Sequence, residues 1–61
     1  MKTVIIEYAA IAPNVLDLII RNQVKEAMCS WVDVDEDYFE FYVSCPPSRM
    51  AKVEEILASY V

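Results

Sequence analysis

The chain has 61 residues, with ten Asp or Glu against five Lys or Arg, a net charge of −5 and an apolar fraction of 57%. That length holds one domain, residues 1–61, and a domain this small buries only about 60% of the surface its unfolded chain exposes. The acidic balance argues against nucleic-acid backbones and anionic membranes, which attract basic patches. Glycine and histidine are absent, which removes phosphate-cradling loops and the commonest neutral-pH acid, base and metal ligand.

Residues 3–8 are rich in β-branched side chains and read as a strand. Val4, Ile6 and Tyr8 share one face of it; Thr3, Ile5 and Glu7 share the other. Glu7 interrupts this apolar run and no small-residue cleavage site follows, so no secretory signal is expected. Pro13 and Asn14 open a helix, with Asn14 as the capping side chain and Asp17 near the positive dipole end. Leu16, Ile20, Val24 and Met28 recur every four residues, and that stripe predicts a helix ending near Met28 or Cys29. Asp17 and Arg21 stand in the favourable order for an ion pair one turn apart. Residues 15–20 contain Asp17 and are too few to cross a bilayer. The expected location is cytoplasmic.

Residues 31–43 read as a hairpin with unlike faces. A two-residue turn at Glu36 and Asp37, or a four-residue turn of the same parity, puts Val32 opposite Phe41 and Val34 opposite Phe39. Val32, Val34, Phe39, Phe41 and Val43 then form an apolar inner set. Trp31, Asp33, Asp35, Tyr38, Glu40 and Tyr42 form the outer set. This register sets Asp33 against Glu40, a like-charge pair that costs about 0.2–1 kcal/mol. Such a conflict is expected where a partner's Arg or Lys enters. Pro46 and Pro47 stop the strand, and Pro47 or Ser48 starts a second helix. Its stripe is Met50, Val53, Leu57 and Tyr60, with Ile56 beside it.

The acidic run at 33–40 fails as a calcium loop: Tyr38 stands where glycine is needed, and Ser44 where the bidentate Glu is needed. It reads instead as a solvated turn that discourages strand aggregation. Cys29 and Cys45 read as free, largely buried thiols, with no base to make either a nucleophile. No metal or cofactor site is expected, and no catalytic residue.

The order β-α-β-β-α defines an α+β fold: a three-stranded sheet with two helices on one face. It resembles a ferredoxin-like unit lacking the last strand, in topology and without a shared residue motif. The resemblance puts strand three in the middle and leaves strand one as a poorly protected edge.

These residues lead to a non-enzymatic protein-interaction module. It is expected to be a homodimer, through strand one or the outer sheet face, that regulates or inhibits a larger protein of basic character. The partner-binding residues are expected to be Trp31, Asp33, Tyr38, Glu40, Tyr42, Ile5 and Glu7. One alternative is an acidic nucleic-acid mimic that inhibits a DNA-binding protein, with no nucleic acid bound by the chain itself. Another is a regulatory domain with a small molecule at the dimer interface.

Overall fold

The computed structural model describes residues 1–61. Strand β1 (Lys2–Glu7), helix α1 (Pro13–Gln23), strands β2 (Met28–Asp33) and β3 (Tyr38–Ser44), and helix α2 (Pro47–Leu57) follow in that order. The sheet order is β1-β3-β2, and both outer strands run antiparallel to β3. This is the expected α+β topology, with the middle strand and the β1 edge as the ferredoxin-like resemblance implies.

One cluster of eleven buried apolar residues holds the fold. Ile6, Phe39, Phe41 and Val43 come from the sheet; Leu16, Ile20, Val53, Ile56 and Leu57 come from the two helices; Val24 and Ala27 come from the turn after α1. Both helices therefore cover the same face. Phe39, Phe41 and Val43 are fully buried, and each such side chain stabilises the fold by about 1.5–3 kcal/mol.

Helix α1 begins with Pro13 as its first residue, where a missing amide hydrogen costs nothing. Ala12, not Asn14, is the capping residue: its carbonyl accepts from the amides of Val15 and Leu16, both at 3.1 Å. The expected Asn14 cap is corrected, because Pro13 shifts Asn14 inside the helix. The helix also stops five residues earlier than its stripe suggests. Val24 turns extended, at φ −128° and ψ 93°, while its amide still donates to Ile20. No residue has a positive φ, so no left-handed cap closes the helix. Arg49 at the start of α2 fills that role, with its Nη2 donating to the Gln23 carbonyl at 3.2 Å. Met28 thus starts β2 and is exposed, although it lies on the helical stripe. Asp17 and Arg21 form the expected pair, with two bonds of 2.7 and 3.0 Å.

The hairpin register differs from the expected one by a single residue. Trp31 pairs with Phe41, Val32 with Glu40, and Asp33 with Phe39. The cause is an odd turn of residues 35–37. The Val34 amide donates to the Tyr38 carbonyl at 3.1 Å, closing the turn. Asp35 Oδ1 accepts from the amides of Asp37 at 2.7 Å and Tyr38 at 3.0 Å. A carboxylate bonding the backbone two residues on builds a turn without glycine. Because side chains alternate, a one-residue change moves every β2 side chain to the other face.

Candidate interaction surface

The corrected register separates the expected contact residues. Ile5, Glu7, Tyr38, Glu40 and Tyr42 lie on the open face, opposite the helices. Trp31 and Asp33 do not; they share the helix-covered face with Phe41 and Phe39. Trp31 is half-buried and stacks on Phe41, with ring centroids 6.1 Å apart and planes 6° apart. Asp33 accepts a hydrogen bond from the Tyr8 hydroxyl. Tyr8 also packs on Phe39, at 4.9 Å between centroids. Together Tyr8, just past β1, and Asp33, at the end of β2, bracket Phe39 from its two sides. The expected opposition of Asp33 and Glu40 does not exist.

In place of Trp31, β2 presents Val32, with Val34 beyond it, to the open side; both are 52% exposed. The alternation of Cys29, Trp31 and Asp33 with Phe39, Phe41 and Val43 could have revealed this, given an odd turn. Rows across the open face now read Ile5–Glu40–Val32 and Thr3–Tyr42–Ser30, with Glu7 beside Tyr38. Glu40 is flanked by two aliphatic side chains rather than by a second carboxylate. Its oxygen accepts from the Tyr42 hydroxyl, and that bond raises the Tyr42 pKa above the usual tyrosine value, with burial adding to it. A single carboxylate, oriented by a tyrosine and ringed by Ile5, Val32 and Tyr38, can receive one guanidinium or ammonium group while apolar surface is buried around it.

Elsewhere the chemistry is spare. The groove between the helices holds about 240 Å³ and is lined by Ile19, Gln23, Lys52, Glu55, Ile56, Ser59 and Tyr60. No group of three or more His, Cys, Asp or Glu side chains converges as a metal would need. Cys29 and Cys45 are free and half-buried. Cys29 lies in β2 on the covered face, not at a helix end. Burial pushes its thiol up to about 11, with the Asp17 carboxylate adding to the effect. That thiol is the opposite of an activated nucleophile. No helix is long and apolar enough to cross a membrane.

No family model matches the chain, and neither a curated protein nor a solved structure matches it. What the fold and surface define is a class: a small α+β domain whose three-stranded sheet is covered on one face and open on the other.

Proposed function

We propose that the chain is a non-enzymatic interaction module of the cytoplasm. It works as a homodimer that binds a larger protein of basic character and regulates or inhibits it. The observation that carries this reading is the open face: Ile5, Val32, Val34 and Tyr38 exposed around the Tyr42–Glu40 pair. Contiguous exposed apolar groups with an oriented charge are the features of a contact site rather than of passive surface. The aromatic members supply area, and Glu40 supplies selectivity for Arg or Lys.

A tetra-arginine peptide titrated into labelled protein tests this by NMR. Shifts should centre on Glu40, Tyr42, Tyr38, Val32 and Ile5 and persist at about 150 mM salt, where the Debye length is about 8 Å. Shifts confined to Asp35, Glu36 and Asp37 that vanish at that salt would overturn the reading.

That second outcome belongs to the acidic-mimic alternative, which one observation favours. Glu7, Asp33, Asp35, Glu36 and Asp37 gather at one end of the sheet, where β1 ends and the β2–β3 turn lies. None of the five pairs with a basic side chain. A small-molecule reading has less to stand on, because the groove is smaller than the roughly 300–1,000 Å³ of ordinary ligand sites.

A further inference from the structure

The free edge of β1 carries a pairing pattern that specifies its partner. The Tyr8 amide donates to the Asp37 carbonyl at 2.9 Å, directed toward β3. Antiparallel ladders alternate, so Ile6, Val4 and Lys2 also direct their backbone groups to β3. Thr3, Ile5 and Glu7 then direct theirs away from the sheet. The Glu7 carbonyl agrees, since it accepts from Ala10 rather than from β3. The outward groups of β1, all free but the Glu7 carbonyl, thus belong to residues whose side chains lie on the open face.

Charge adds a direction. The strand has Lys2 at one end and Glu7 at the other. Lys2 makes no ion pair within the chain, and neither do Glu7 and Asp33. Lys25, in the turn at the Lys2 end, is also unpaired. Acids without partners therefore stand at one end of the sheet and bases without partners at the other. Parallel pairing of two copies would put like ends together; antiparallel pairing puts unlike ends together.

The geometry points to a second copy of this chain as the occupant of the β1 edge, antiparallel, with the twofold axis at Ile5. This rests on the homodimer reading above and fixes its interface. Ile5 pairs with Ile5 of the second copy, exchanging two ladder hydrogen bonds. Thr3 pairs with Glu7, whose amide donates to the Thr3 carbonyl while its own carbonyl is shared with Ala10. Thr3 and Glu7 lie on the same face and can bond through their side chains. Val4 comes opposite Ile6 on the helix side. Lys2 comes opposite Tyr8, which holds Asp33. The three-stranded sheet doubles, and two open faces merge into one platform around the paired Ile5 side chains.

Sedimentation equilibrium over a concentration series, with isotope-filtered NOEs on mixed labelled protein, tests the pairing. Wild type should approach twice its 7.0 kDa mass, with an intermolecular contact between the α-protons of Val4 and Ile6. Ile5→Pro removes an outward amide without touching the β1–β3 ladder, and should sediment as 7.0 kDa throughout. Thr3→Pro should weaken the dimer about tenfold or more with the same logic. If Ile5→Pro does not fold, the wild-type contact still decides. A wild-type dimer whose filtered contacts join Val32, Tyr38 and Tyr42 overturns the edge pairing and leaves the homodimer reading standing. A wild-type monomer at millimolar concentration overturns both.

Discussion

The two faces of this sheet are built from alternate residues of the same strand, and they obey different rules. On β3, Phe39, Phe41 and Val43 are fully buried under two helices, while Tyr38, Glu40 and Tyr42 face the open side. The covered face of β3 is uniformly apolar and is satisfied within the chain. The open face mixes aliphatic, aromatic and acidic groups, and Val32 and Ile5 stay half-exposed beside Glu40. Folding explains the first face completely. The second keeps apolar surface that none of the five elements covers.

Substitutions on the covered face should dominate stability. Phe41→Ala should cost about 3–5 kcal/mol in urea unfolding, whereas Val32→Thr on the open face should stay within about 0.5 kcal/mol. Similar losses at both positions would erase the distinction between the faces. Trp31 tests which face β2 belongs to. Its stacking on Phe41 predicts that Trp31→Ala costs about 2 kcal/mol and leaves binding of tetra-arginine unchanged. The reverse result, stability kept and binding lost, would restore the even-turn register.

Two smaller effects sharpen the supports of the covered face. Asp35→Ala removes the acceptor for two turn amides and should cost about 1 kcal/mol, while Asp35→Asn keeps an acceptor and should cost less. Alkaline unfolding should follow Cys29. Its folded pKa of about 11 lies above the ordinary thiol value of about 8.5, so the fold favours the protonated form. Its stabilising share is complete below about pH 8.5 and is lost as pH rises toward 11. The raised Tyr42 hydroxyl acts in the same direction. Cys29→Ala should therefore flatten, but not abolish, the decline of stability in that window.

Element order and the β1 face assignments were legible from side-chain periods and turn residues, while the strand order followed from the resemblance to a ferredoxin-like unit. Helix α2 was legible too: its buried Val53 and Leu57 lie on the predicted stripe, with Ile56 buried beside them. The α1 terminus was not legible, because its end carbonyl at Gln23 is satisfied by a long-range bond from Arg49 rather than by a local cap. The hairpin register was half legible. Val32, Val34, Phe39, Phe41 and Val43 form a consistent apolar set under an even turn, and local pattern offers no objection. Two non-local preferences decide against it: Trp31 gains an aromatic partner in Phe41, and Asp33 gains the Tyr8 hydroxyl. The proposed contact surface moved with the register, so Ile5, Glu7, Tyr38, Glu40 and Tyr42 stayed on the open face while Trp31 and Asp33 left it.

The two sheet edges extend the same comparison. Thr3, Ile5 and Glu7 direct backbone groups outward on β1; by the same alternation Cys29, Trp31 and Asp33 do so on β2. Amide hydrogen exchange read residue by residue, in dilute and concentrated wild-type protein, separates the edges directly. The amides of Thr3, Ile5 and Glu7 should become protected as concentration rises, while those of Cys29, Trp31 and Asp33 keep exchanging rapidly. Unchanged exchange at the three β1 positions across the series, or protection arising on β2 instead, would contradict the account.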